Sequence, residues 1–125
     1  FSTSHPPGVI AAAMEAIDLI QEEPELIDKL WDNTNFFRKG LQELGFDTGN
    51  SATPIIPVIV GDERKTMQLA DGLFEAGVFA QGIAFPTVPR GKARVRTIIT
   101  AAHSEEDLQF ALDAFAKVGR ELKLI

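Results

Sequence analysis

Residues 78–100, VFAQGIAFPTVPRGKARVRTIIT, decide the fold of this 125-residue chain. The runs at the two ends of this segment, 78–84 and 93–100, are apolar and rich in β-branched residues, and each predicts a strand. The loop between them contains Pro86 and Pro89 and is too short to hold a crossover helix. Consecutive strands that lack a crossover pair antiparallel, so the segment predicts an α+β domain.

Helical patterns surround this strand pair. Apolar residues at helical spacing predict four helices, over 9–21, 23–44, 63–76 and from Ser104 onward. Trp31 and Phe36 extend the apolar stripe of the second helix and are predicted to lie in the core. Asp62 is the predicted N-cap of the third helix, and Ser104 with Asp107 forms a predicted capping box for the fourth.

One more strand is predicted over 54–60, where Pro57 indicates a bulge or an edge position. The helix that follows it could join the first two strands in parallel. The order α-α-β-α-β-β-α predicts a short, mainly antiparallel sheet with helices packed on one face.

The composition excludes several classes of function. A hydrophobic content of 45% and a charged content of 24% are typical of a soluble globular domain. The sequence contains no apolar run long enough to span a bilayer and no signal-peptide pattern, so no membrane association is expected. The absence of cysteine removes disulfide and thiolate chemistry and fits a reducing cytoplasm, which is the expected location. The two histidines lack ligand spacing, so no metal site is expected.

The sequence reads as one domain taken from a longer protein. It begins with Phe1 rather than methionine and starts directly in a motif, FSTSHPP. We find no internal repeat, low-complexity tract or domain boundary, so residues 1–125 are expected to form a single domain.

A cluster of basic side chains stands out in an otherwise acidic chain. Four of the twelve basic residues lie between Arg90 and Arg96, whereas the formal net charge is −6. Arg94 and Arg96 leave the same face of the predicted strand, because side chains alternate along a strand. Two such guanidinium groups can bind a carboxylate or a phosphate bidentately. The alternatives are a solvated strand or a structural ion pair. A compact basic spot on an acidic chain does not favour nucleic-acid binding.

Hydroxyl and imidazole groups supply further candidates. Ser2, Thr3 and Ser4 precede the first predicted helix, where hydroxyl and N–H groups can bind an anion or simply cap the helix. His103 is either a residue of the turn before the last helix or a general base, and His5 is similarly ambiguous.

Four segments together resemble the C-terminal region of α-oxoamine synthases. They are FSTSHPP at 1–7, TPIIPV at 53–58, FPTVPRGKARVR at 85–96 and TAAH at 100–103. These enzymes are fold-type I proteins that use pyridoxal 5'-phosphate (PLP) to join an amino acid to an acyl-CoA. The resemblance covers the whole chain and implies the small C-terminal domain of such an enzyme, together with the segment that leads in from the large domain.

The resemblance also implies roles for particular residues. The second arginine of the family's Ala-Arg-x-Arg element binds the carboxylate of the amino-acid substrate, and it corresponds to Arg96. The opening motif contacts the cofactor phosphate of the neighbouring subunit in a homodimer, which gives this role to Ser2 and Thr3. None of the six lysines lies in the family's cofactor-lysine motif. The chain is therefore expected to contain no catalytic residue and to be inactive alone, with PLP bound mainly by the large domain.

One position bears on the substrates. Family members that make 8-amino-7-oxononanoate or sphingoid precursors often have an arginine where this chain has Ala84. That difference makes the chain look most like 2-amino-3-ketobutyrate CoA ligase (glycine C-acetyltransferase), with glycine and acetyl-CoA as substrates. The alternatives are 8-amino-7-oxononanoate synthase or another α-oxoamine synthase and, in a different class, a stand-alone module that binds a small anion.

Overall fold

The chain folds in the order that the sequence predicts. A computed structural model describes residues 3–125, and Ser2, with its predicted role, lies outside them. Its helices are α1 (Pro7–Glu22), α2 (Glu25–Glu43), α3 (Glu63–Glu75) and α4 (Glu105–Glu121), and its strands are β1 (Ile55–Gly61), β2 (Gln81–Ile83) and β3 (Ala93–Ile98). The predicted α+β class, with helices on one face of an antiparallel sheet, is confirmed.

The three strands form one sheet in the order β1-β3-β2. Both outer strands pair antiparallel with β3, so β1 and β2 run parallel to each other without touching. The helix α3 therefore does join two parallel strands, and β3 lies between them. Pro57 lies on an edge strand, as one of its two predicted roles requires, and the register shift falls further along, between Ile59 and Gly61.

The last two strands are shorter than predicted. The N–H of Val78 donates to the carbonyl of Leu73 at 2.8 Å, which keeps Val78 in the turn that follows α3. Pairing with β3 therefore begins only at Gln81. At the other end, the N–H of Ile99 still bonds to the carbonyl of Pro54 at 3.0 Å, one residue beyond β3.

The core lies between the sheet and the helices α2, α3 and α4. Ile56, Val58 and Val95 point from the sheet into this core and are fully buried. The ring of Phe115 packs edge-on against Phe37 and Phe46, at centroid distances of 6.1 Å and 5.7 Å. Burying apolar side chains of this size is the main source of the domain's stability.

The predicted caps are confirmed. The side chain of Asp62 accepts a hydrogen bond from the N–H of Lys65 at 2.7 Å. Ser104 and Asp107 form both bonds of a capping box, each side chain accepting from the other residue's N–H.

Two predicted core residues lie at the surface. Trp31 is 39% exposed and Phe36 is 37% exposed, so the prediction for both was wrong. The buried stripe of α2 runs through Phe37 and Leu41. A helix advances about 100° per residue, and Phe36 therefore points well away from the Phe37 direction.

The first helix stands apart from this core. No residue of α1 is buried, and Val9, Met14 and Ile17 are each more than half exposed. Within residues 3–125 no helix combines the length and the apolar character needed to cross a membrane.

Candidate functional site

Arg94 and Arg96 share the sheet face that the helices leave open. Along β3, burial alternates: Ala93, Val95 and Thr97 are buried, whereas the two arginines are half-buried. The predicted parity of the strand is therefore confirmed. The open face therefore carries two guanidinium groups that take no part in the packing of the hydrophobic core.

Arg96 has a defined position on this face. It lies between Pro57 of β1 and Gln81 of β2, and its Nη2 donates to Oε1 of Gln81 at 2.7 Å. Its Nε is buried and has no hydrogen-bond partner among residues 3–125. A buried donor without a partner is costly, so this guanidinium is suited to an acceptor supplied by a ligand.

The ion-pair alternative for these arginines finds no support. The one salt bridge within residues 3–125 joins Lys39 and Glu43, both on α2. Arg94 instead donates through its Nε to the carbonyl of Lys92 at 3.0 Å. Both guanidinium groups are therefore without a carboxylate in the described part of the chain.

Beside the two arginines the open face forms a groove of ≈ 510 Å³. Its apolar wall comes from residues that stand beside the arginines on the sheet and from the loop that follows β2: Ile55, Pro57, Ile59, Ile83 and Val88. A mostly apolar groove with a few convergent polar groups is typical of a small-molecule site.

Arg96 also borders two smaller cavities. One, of ≈ 360 Å³, is lined by Arg96, Ala84 and Phe85 among others, and another, of ≈ 280 Å³, includes Phe79. Arg96 is the residue common to these two cavities and the groove. It therefore lies at the centre of the open face.

The loop between β2 and β3 is held in place by its own contacts. The carbonyl of Ala84 accepts hydrogen bonds from the N–H groups of Thr87 at 3.0 Å and Val88 at 3.3 Å. The guanidinium carbon of Arg90 lies 4.4 Å from the ring centroid of Phe85, which is a cation–π contact. A fixed loop of this kind can shape one end of the site.

The other candidates lie away from this face. Thr3 is in an exposed turn, His5 is exposed, and neither lines a cavity with Arg96. The Nδ1 of His103 accepts from the N–H of Thr100 at 3.2 Å, and its carbonyl accepts from the amide of Asn33 at 3.0 Å. These bonds give His103 a structural part in the turn before α4. No cluster of three side chains able to ligate a metal ion occurs in residues 3–125.

Sequence reasoning missed two features of the site. Gln81 lies in the predicted second strand, and its alternation with Ile83 is the signal that places it on the same face as Arg96. The contact between Arg90 and Phe85 could not be foreseen, since it depends on how the loop turns.

The sequence matches a known protein family. The profile described as "Aminotransferase class I and II" matches residues 1–115. The chain belongs to this family. The family is PLP-dependent and of fold type I, and the similar proteins below are α-oxoamine synthases, in agreement with the motifs.

Three similar proteins show which enzymes the chain resembles. The chain is 73% identical to the 8-amino-7-oxononanoate synthase of Symbiobacterium thermophilum, covering 100% of this chain and 32% of that protein. It is 53% identical, over the same shares, to a Thermus thermophilus protein named 8-amino-7-oxononanoate synthase/2-amino-3-ketobutyrate coenzyme A ligase. The structure of a serine palmitoyltransferase variant from S. paucimobilis with bound PLP matches with a TM-score of 0.93 and 28% identity, over 100% of this chain and 32% of that one. The chain thus spans about a third of the length of these relatives.

The described residues fit a substrate carboxylate better than they fit the cofactor. All six lysines are exposed, and none of them lines the groove beside Arg96. PLP attaches to such enzymes through a lysine, and its phosphate needs several donors. The open face is therefore suited to a carboxylate rather than to the cofactor.

Proposed function

We propose that the chain is the C-terminal small domain of a PLP-dependent acyltransferase, in which Arg96 holds the carboxylate of the amino-acid substrate. The observation that carries this proposal is the state of the Arg96 guanidinium. It is half-buried at the centre of the open face, with one hydrogen bond to Gln81 and a buried Nε that lacks a partner. A carboxylate would satisfy both the charge and the remaining donors.

The physical reason for an arginine lies in the need to orient the substrate. PLP supplies the electron sink for bond changes at the amino-acid α-carbon. The protein must therefore hold that carbon in one orientation, and a planar guanidinium that binds both carboxylate oxygens does so. Gln81 contributes by fixing the guanidinium before the substrate arrives.

The first candidate reaction is 8-amino-7-oxononanoate synthesis, which the 73% identical relative supports. Carbons 8 and 9 of that product, with the amino group, correspond to alanine after loss of its carboxylate. Carbons 1–7 correspond to an acyl group with a carboxylate at its far end. Alanine and heptanedioyl-CoA would thus give the product, carbon dioxide and free CoA.

A second candidate is glycine C-acetyltransferase. Glycine and acetyl-CoA would give 2-amino-3-ketobutyrate and CoA without loss of carbon dioxide. Ala84 supports it, because it places no charge before the loop, and the Thermus thermophilus relative has both activities in its name. The stand-alone anion module is less favoured, since the family match extends over residues 1–115.

The opening residues belong to the same proposal. Ser2 and Thr3 would contact the phosphate of the cofactor bound by the other subunit of a homodimer. The exposure of Thr3 is compatible with a contact made outside this chain. The catalytic lysine and most of the cofactor site would lie in the part of the protein that precedes residue 1.

The experiment is a comparison of substrate pairs in the full-length protein. Release of free CoA is measured with alanine and heptanedioyl-CoA, and separately with glycine and acetyl-CoA. If kcat/KM is at least about tenfold higher for the first pair, the protein is the synthase. If kcat/KM is higher for the second pair by the same factor, the protein is the acetyltransferase. If neither pair nor any other amino acid releases CoA, the proposed acyltransferase is wrong.

A further inference from the structure

Arg90 is a cation that the proposed function does not use. It is exposed, and its guanidinium lies over the ring of Phe85 at 4.4 Å. It takes part in no salt bridge and no side-chain hydrogen bond within residues 3–125. Stacking on a ring fixes the plane of a guanidinium while its N–H edges stay available for an acceptor.

The ring beneath Arg90 is also a wall of the site. Phe85 and Arg96 both line the cavity of ≈ 360 Å³. Arg96 lines this cavity directly, whereas Arg90 lies on the ring that forms part of the cavity wall. Ile83 and Ala84 give the cavity apolar surface as well.

This arrangement suits two substrates that meet at one site, an amino acid whose carboxylate binds Arg96 and an acyl chain that ends in a carboxylate near Arg90. A carboxylate at the end of an acyl chain needs a cation or several donors when it leaves water. Ala84 provides neither. In the loop between β2 and β3, Arg90 has a guanidinium that is held in place by its contact with Phe85. An acetyl group has no such charge and would gain nothing from Arg90.

We propose that Arg90, positioned by Phe85, recognises the terminal carboxylate of a dicarboxylic acyl thioester. The inference rests on the proposed acyltransferase function and names the acyl class for that site. Arg96 binds the amino acid and Arg90 selects its acyl partner. The structure then favours a dicarboxylic acyl donor even though Ala84 is uncharged.

The test uses the full-length enzyme and two thioesters that differ in one group. Heptanedioyl-CoA and heptanoyl-CoA have the same chain length, and only the first ends in a carboxylate. With the amino acid saturating, we expect wild-type kcat/KM to be at least about 30-fold higher for heptanedioyl-CoA. Arg90→Met should remove most of that preference, while kcat/KM for heptanoyl-CoA stays within about threefold.

Two further variants sharpen the result. Phe85→Leu should reduce the preference in part, because it removes the ring that positions the guanidinium but keeps the charge. Arg64→Met, at an exposed arginine of α3, should leave both thioesters unchanged and serves as the matched control.

Three outcomes would overturn the proposal. The first is a wild-type ratio of kcat/KM for heptanedioyl-CoA to kcat/KM for heptanoyl-CoA that is close to one. This result needs no variant and holds even if Arg90→Met does not fold. The second is an equal loss on both thioesters in Arg90→Met, which would make Arg90 a structural residue of the loop. The third is a protein that uses neither thioester. CoA release from glycine and acetyl-CoA would then overturn only the role of Arg90, whereas no CoA release with any pair would overturn the proposed acyltransferase as well. A lower kcat/KM for the amino acid in Arg96→Lys, with the preference between the two thioesters unchanged, supports the proposed function separately.

Discussion

Arg96 and Gln81 are direct cross-strand partners, and Nη2 of Arg96 donates to Oε1 of Gln81 at 2.7 Å. The bond spans the junction between β3 and the short strand β2. It holds a cationic side chain without neutralising it, because the amide of Gln81 is uncharged. The guanidinium is thus oriented and still available to an anion.

Replacing Gln81 tests this orientation in the full-length protein. Gln81→Glu would pair with Arg96 and compete with the substrate carboxylate, so the KM for the amino acid should rise about tenfold or more. Gln81→Leu only removes the bond, and the KM should rise by about two- to fivefold. Steady-state kinetics with the acyl thioester saturating measures both. An unchanged KM in Gln81→Glu would show that Arg96 does not contact the amino acid.

Arg96→Lys tests the carboxylate contact itself. Lysine keeps the charge but loses the planar pair of donors, so transition-state binding should weaken by roughly 2–5 kcal/mol. That range lowers kcat/KM for the amino acid by about 30-fold to several thousandfold. A value within about threefold of wild type would remove Arg96 from the site.

A matched pair of glycine variants tests the packing of α4. Gly119 is buried in α4, and a Cβ there would lie 2.5 Å from the Cζ of Phe46. The ring of Phe46 cannot retreat easily, because it packs on Phe115 at 5.7 Å. Gly119→Ala should therefore lower the free energy of unfolding by about 1–2 kcal/mol, despite the better helix propensity of alanine.

Gly8 is the control for this comparison. It lies in α1, and a Cβ there meets nothing within 4 Å. Gly8→Ala should leave the urea midpoint of the 125-residue chain unchanged or slightly raised. Equal midpoints for the two variants would mean that α4 does not approach Phe46 so closely.

The capping box of α4 predicts a pH dependence. The N–H of Ser104 bonds to the carboxylate of Asp107, and this bond, with the Ser104 hydroxyl and His103, lowers the pKa of Asp107 below 3.8. A lowered folded-state pKa stabilises the fold fully above pH 3.8, and the contribution disappears as the pH falls through the lower value. The Tm advantage of wild type over Asp107→Asn should therefore shrink below pH 4. A constant difference from pH 7 to pH 2 would contradict this assignment.

Local patterns predicted most of the fold and part of the site. The side-chain alternation that put Arg94 and Arg96 on one face is a property of any strand, so it needed no knowledge of tertiary structure. The N-caps were equally local. The sequence does not predict which surface α1 packs against. An amphipathic stripe indicates only that the helix has an apolar side that can be buried. The same limit applies to Trp31 and Phe36, because their burial depends on how much of α2 the neighbouring helix α4 covers.

The strand order and the finer site geometry required the fold itself. The position of β3 between β1 and β2 brings Gln81 next to Arg96, and no spacing in the sequence encodes that contact. The stacking of Arg90 on Phe85 likewise depends on the path of the loop. The substrate choice drawn from Ala84 alone favoured acetyl-CoA, whereas a cation placed from elsewhere in the loop favours a dicarboxylic acyl group.

The exposed first helix predicts a difference in local stability. No residue of α1 is buried, whereas α4 buries six, including Leu112 and Phe115. A helix of this length is marginal in water without tertiary contacts, so α1 should open much more often than α4 in the isolated 125-residue chain. Hydrogen exchange followed by mass spectrometry should show α1 amides exchanging at least about 100-fold faster than those of α4. Equal protection at low concentration would mean that α1 packs against the domain. Protection that appears only as the concentration rises would mean that its apolar side, with Met14 at 62% exposure, pairs between copies.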